Sequence, residues 1–157
     1  MALKQTYLSM KSKLPADSEA VLVMRGRGND ELAPSKELLE DFSEEKKHYA
    51  TDSGFESAIH YAWEKSHYAE RFRKQVTQNA KAMKRLRELS ERARDHDVYL
   101  ICYEGDDKPC HRKLLLEIAD EALDAEVDPS PFVPTANASK AEDKQRQETL
   151  PLFERIT

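Results

Sequence analysis

No stretch of this 157-residue chain approaches the ~20 consecutive apolar residues that cross a bilayer, so a membrane-spanning protein is not expected. The N-terminal "MALKQTYLSMKSKLP" also lacks the apolar segment of a secretory signal, and a cytoplasmic location is the expectation. Cysteine is scarce: two residues cannot build the disulfide framework of a small secreted domain, and reduced thiols are expected. Glycine is scarce too, with four residues, and no internal repeat is visible. The chain is short of basic charge relative to acid, at net -5, which argues against a whole-surface nucleic-acid binder while leaving room for a local basic patch. What it has in plenty is charge: 35% of residues are Asp, Glu, Lys or Arg, as on a well-solvated surface.

Apolar patterning supplies the elements. "KQTYLSM" near the start reads as a short strand and "AVLVM", residues 20–24, as a better one. The second ends in the glycine-rich "RGRGND" with Arg25 and Arg27, after which Pro34 and Ser35 open a helix. Residues 43–54 are polar and loop-like. From Phe55 an apolar stripe at helical spacing runs to Ala93, broken near "TQNA", and predicts two helices. "VYLICY", residues 98–103, is an unbroken β-prone run, and Leu114, Leu115, Ile118, Ala119, Ala122 and Leu123 predict a helix over about 109–125 capped by Asp106 or Asp107. Strands separated by helices imply an α/β fold, a small parallel or mixed sheet flanked by helices, with 20–24 and 98–103 as parallel neighbours. A single domain over 1–127 is expected. Residues 128–146 carry three prolines and no periodicity, the composition of a disordered linker, and 147–157 form a C-terminal interaction peptide.

Ligand crevices in open α/β sheets lie beyond the carboxyl ends of the strands. Arg25 and Arg27 after one strand are therefore expected to face Cys102, Glu104, Cys110, His111 and Arg112 after the other. Three chemistries fit the Cys-His-Arg run. A helix N-terminus with Arg112 holds a phosphate or carboxylate, so that Arg25, Arg27, Cys102, Glu104 and Arg112 form an anion site. Alternatively Cys110 is an activated thiol with His111 exchanging its proton, a catalytic pair. The third reading is packing: Cys102 in the core, Cys110 as an apolar plug, Arg112 paired with Glu104 or an acidic neighbour. No cofactor is expected, and no metal, because the spacing of Cys102, Cys110 and His111 lacks the paired motif of familiar zinc sites. His60 and His67 are read as surface residues, and Trp63, Tyr61, Tyr68 and Phe72 as core on one side of a helix.

Three blocks resemble a known prokaryotic family, domain of unknown function 488: "VLVMRGRGNDELAPSKELLEDF", "YAERFRKQV" followed by "MKRLRELSERA", and "DVYLICYEGDDKPCHRKLLLEIA". The last is similar to the family's strand, Cys, acidic turn and Cys-His-Arg signature. The resemblance implies an α/β fold and draws attention to Cys102, Glu104, Cys110, His111 and Arg112, with Arg25 and Ser35 in the weaker blocks. The chain departs from the family in lacking its frequent glycine-histidine pattern in the N-terminal strand, and in placing Tyr103 where a small residue is common. The family supplies no settled activity.

The tail is a separate signal. "QETLPLF" spaces Gln147, Leu150, Leu152 and Phe153 like the peptides by which replication and repair proteins dock on a sliding clamp. Two kinds of partner follow: a phosphate-containing small molecule or nucleotide at the strand ends, and a sliding clamp at the tail, which would make the protein a DNA-maintenance accessory factor. A non-catalytic interaction module is the remaining alternative.

Overall fold

The computed structural model describes residues 1–134. Three strands form one parallel sheet in the order β1-β3-β2: β1 is Leu3–Tyr7, β2 is Glu19–Leu22 and β3 is Val98–Cys102. The central strand registers Leu3 to Val98 on one side and Glu19 to Val98 on the other, so all three strands start level and end within one residue of one another. The sheet is therefore parallel throughout, with the two strongest strands adjacent as their apolar runs predict. Val23 extends the ladder by donating to the Ile101 carbonyl at 3.0 Å.

Every residue of β3 is buried, as an unbroken apolar run requires when both faces are covered. Successive side chains alternate between faces. Val98, Leu100 and Cys102 belong to the main core beneath the helices, whereas Tyr99 and Ile101 join a smaller cluster with Leu14 on the opposite face. That opposite face is covered by the 3-10 segment Leu8–Lys13 and by Phe132, which sets its ring edge-on against Tyr99 at 5.5 Å. The chain after Val127 thus lies along the sheet: Leu3 bridges to Val127, and the Gln5 side-chain amide donates to the Pro129 and Ser130 carbonyls.

Five helices follow from the sequence with two shifts from expectation. Helix α1, Lys36–Lys46, begins at Ser35, whose hydroxyl accepts from the Leu38 N–H at 3.1 Å, and it continues into the segment expected as loop. The stripe from Phe55 to Ala93 forms three helices, not two: α2 (Ala58–Lys65), α3 (Tyr68–Thr77) and α4 (Ala80–Arg92). The unexpected break is at His67, held in the left-handed region at φ 55°, a conformation that periodicity does not reveal in a residue other than glycine. The expected break does occur, where Asn79 caps α4 by accepting from the Lys81 and Ala82 N–H groups. Helix α5, His111–Leu123, packs on α3, α4, β1 and β3. Among the described residues no helix is long and apolar enough to cross a membrane.

Candidate functional site at the strand ends

The parallel sheet delivers its carboxyl ends to one place. After β2 the chain turns through Met24, Arg25 and the glycine loop; Gly26 and Gly28 both sit at positive φ, 86° and 94°, which a side chain would resist. After β3 it turns through Tyr103–Pro109 and returns at Cys110, the residue that precedes α5. Strand parity aims Cys102 at the helical layer, so the acidic turn folds Cys110 back against it. The N-cap of α5 is Cys110 itself, with an extended backbone and no side-chain capping bond. Asp106 and Asp107, expected as caps, do not cap: Asp106 turns inward to Arg112 at 3.2 Å, and Asp107 pairs with Lys108 at 3.1 Å.

Between these turns and the α1–α2 pair lies a cavity of about 350 Å³. Its floor is Cys102, Cys110 and His111. One wall is aromatic, with Trp63 stacked on Tyr68 at 4.2 Å and 16° and Phe42 edge-on to Tyr68 at 5.3 Å. Arg25, Lys46 and Glu104 supply charge at its rim. Burial, with the nearby charge of Glu104, raises the Tyr68 hydroxyl pKa, so the wall stays an uncharged phenol.

The floor is wired by hydrogen bonds. His111 Nε2 lies 2.8 Å from the Val23 carbonyl, and a carbonyl only accepts, so Nε2 carries the proton and Nδ1 presents its lone pair toward Cys110 Sγ at 3.7 Å. Burial pushes the His111 pKa down to about 4 against the opposing Val23 bond, with the Arg112 charge adding to the fall; the ring is neutral at pH 7. Phe72 packs edge-on against that ring at 5.4 Å. The two sulfurs are brought together at the floor, while the Cα atoms that carry them stand 7.4 Å apart, beyond the about 4.4–6.8 Å that disulfides span. The cause is topological: the strand end and the helix start that carry them are eight residues apart and folded onto each other.

Arg112 is wholly buried and turned away from the cavity. Its Nε donates to Gln5 Oε1 at 2.6 Å, Nη1 to the Glu104 carbonyl at 2.6 Å and to Cys102 Sγ at 2.9 Å, and Nη2 to Asp106. Burial lowers its pKa, with Asp106 opposing. The guanidinium therefore braces β1, the acidic turn and Cys102 together, close to the packing reading of this residue. Arg25 lines the cavity with Nε held by the Pro34 carbonyl at 3.1 Å and Nη1 3.5 Å from Asp30. Arg27 lies outside the lining, its guanidinium over the Tyr103 ring at 5.9 Å. Gln147, Leu150, Leu152 and Phe153 fall outside the described residues.

Sequence reasoning assembled the floor but missed the walls. Tyr68 is buried in the core and Trp63 packs against it, as expected, but the sequence reading places neither beside the cavity and reads Lys46 as loop, where it closes α1. Gln5 was missed as the anchor of Arg112, although a glutamine on the inward face of a strand is itself unusual.

A three-stranded parallel α/β domain with a Cys, acidic turn and Cys-His-Arg site at its strand ends defines the class of protein. Residues 28–123, more than half of the chain, match the family described as the active DUF488-N3 subclade, and the chain belongs to this family of domains of unknown function. The match contains Cys102, Glu104, Cys110, His111 and Arg112, and begins after Arg25 and Arg27. Neither the comparison with curated proteins nor that with solved structures returns a match.

Proposed function

We propose that the strand-end cavity binds a small anionic ligand with a planar part, a phosphate-containing molecule of the nucleotide type, over the thiol-bearing floor. The observation that carries this reading is the meeting, in one cavity, of the Arg25 and Lys46 cations with the flat Trp63–Tyr68 wall. Ligand sites of this size are mostly apolar with a few convergent polar groups, and aromatic faces accept planar rings. The anion contacts come from Arg25 and Lys46; Arg112 supports the floor beneath them. Cys110 and His111 provide the chemical arm of the proposal, since the neutral imidazole, with Nδ1 facing Sγ, accepts a hydrogen bond from a reduced thiol.

Trp63 is the chain's one tryptophan and lines the cavity, so binding is read directly by its fluorescence. Titration of nucleoside mono-, di- and triphosphates into the intact protein should give saturable quenching. Arg25→Ala or Lys46→Ala should weaken it about 10- to 100-fold, the loss of one charge-assisted hydrogen bond. If no nucleotide and no inorganic phosphate changes the Trp63 signal or the melting temperature, the cavity is not an anion site.

A second reading rests on the tail sequence. The spacing of Gln147, Leu150, Leu152 and Phe153 supports docking on a sliding clamp, and a peptide from Lys144 to Thr157 should bind a clamp with micromolar affinity. Leu150→Ala with Phe153→Ala should abolish that binding; a wild-type peptide that ignores the clamp removes the DNA-maintenance reading.

A further inference from the structure

The floor of the cavity has a property that neither the anion reading nor the thiol reading uses. Cys102 Sγ, Cys110 Sγ and a ring nitrogen of His111 all lie within 4.8 Å of one another, and all three residues are buried. We propose that, in its reduced form, this floor is a metal centre: a zinc ion held by the thiolates of Cys102 and Cys110 and by Nδ1 of His111, with its fourth coordination position open to the cavity.

Geometry favours the assignment at each ligand. With Zn–S of about 2.3 Å and Zn–N of about 2.0–2.1 Å, a tetrahedral site sets sulfur and nitrogen roughly 3.6 Å apart. Cys110 Sγ and His111 Nδ1 are 3.7 Å apart. The Cα atoms of Cys102 and Cys110 are 7.4 Å apart, whereas disulfides span about 4.4–6.8 Å, so the backbone spacing leaves room for an ion between the sulfurs. Neighbouring residues can share the ion because Cys110 is extended while His111 begins the helix.

The surrounding bonds are those of a supported ligand set. A metal-binding histidine commonly donates its other ring N–H to a carbonyl, which fixes the tautomer and orients the ring; His111 does this to Val23 at 2.8 Å. Arg112 Nη1 donates to Cys102 Sγ at 2.9 Å, an outer bond that stabilises a thiolate. Two thiolates and an imidazole form a borderline-soft set suited to zinc, and three protein ligands leave one position for water or a bound oxygen. Binding releases the two thiol protons. The ion needs both thiols reduced, because the sulfurs must stand about 3.8 Å apart, the S···S edge of such a tetrahedron, so an oxidised pair cannot hold it. A phosphine reductant supplies the two electrons and, with water's protons, opens such a disulfide to two thiols while becoming its oxide.

The assignment shares the cavity with the anion reading but does not rest on it. The test uses the full chain, reduced with a phosphine, freed of excess reductant without air and titrated with Co²⁺ as a spectroscopic probe. One equivalent should give a thiolate-to-cobalt charge-transfer band and the d–d bands of a tetrahedral site, both displaced by Zn²⁺. Cys102→Ser and Cys110→Ser should each diminish the charge-transfer band, and His111→Gln should weaken Co²⁺ binding by at least about tenfold. Since these variants are buried and can fail to fold, the wild-type protein carries the decisive readout: Zn²⁺ should protect both thiols from alkylation and a chelator should restore it. Two free thiols with no cobalt band and no zinc protection overturn the proposal. A full band in a folded His111→Gln variant with unchanged affinity overturns the imidazole ligand. Metal binding without any nucleotide response leaves the metal centre standing and removes only the anion reading.

Discussion

Replacing Arg112 by methionine should destabilise the protein by about 3–5 kcal/mol, the cost of removing one partner from a buried ionic network. The magnitude follows from what is left behind. Methionine keeps most of the volume of the side chain but none of its donors, so Gln5 Oε1 and the Glu104 carbonyl lose bonds of 2.6 Å each. Buried acceptors without partners cost about 1–3 kcal/mol apiece. Asp106 recovers part of its loss from water, its side chain being 23% exposed. In a domain of this size the total corresponds to a fall in melting temperature of roughly 10–20 °C.

Arg112→Lys separates the brace from the charge. A single ammonium keeps the positive charge but cannot reach Gln5, Glu104, Cys102 and Asp106 together, so the variant should lose a large part of the same stability. Urea denaturation followed by far-ultraviolet dichroism gives both numbers, with equal m-values expected for the three proteins. Were Arg112→Met to fall within about 1 kcal/mol of wild type, the range of ordinary surface changes, the inward brace would be wrong. The residue would then be available to a ligand.

Phe72→Ala should cost about 3–5 kcal/mol, since this fully buried ring packs against both Tyr68 and His111 and its removal leaves a cavity beneath the site; a loss under about 1.5 kcal/mol in the same denaturation assay would mean that the helical layer closes over the gap. Glu19 gives the pH dependence. Burial alone would raise its pKa, but hydrogen bonds from Arg92 and His96 outweigh this and hold it below the ordinary 4.5. The unfolded chain therefore binds the proton first as pH falls, so the carboxylate's contribution is complete above 4.5 and is lost through the lowered folded value. Because Glu19 is partly exposed the effect should be below about 1 kcal/mol, and Glu19→Gln should remove it: a stability gap between the two proteins that stays constant from about pH 6 to about pH 3 would refute the pairing.

The fold was legible wherever burial acts on a whole element. The unbroken run 98–103 announces a strand covered on both faces, and the spacing of Leu114, Leu115 and Ile118 announces α5, because both patterns record contact with the core directly. What escaped notice depends on single backbone angles or distant partners. The break at His67 turns on one left-handed residue, and the capping role of Cys110 on its extended backbone, which displaced the aspartates expected there. Arg112 shows the same division: its place in the Cys-His-Arg run marks it as important, yet the decision between facing a ligand and facing inward lies with Gln5, 107 residues away in sequence.

That inward turn also determines where ligand charge must come from. A guanidinium already engaged by two carbonyl-type oxygens, a carboxylate and a sulfur has little left to offer an anion, and rotating it outward would break the network that positions Cys102. The cations at the cavity rim stand differently. Arg25 is held at Nε by Pro34, and Lys46 extends over the Phe42 ring at 5.2 Å. Arg25 also pairs with Asp30 through Nη1, but both cations keep donors that a ligand can use, so on the proposed reading anion affinity and fold stability would fall to different residues. Substitutions at Arg25 and Lys46 should therefore alter binding with little change in melting temperature, and substitutions at Arg112 should do the reverse, lowering stability first and affecting ligand only through the displaced floor.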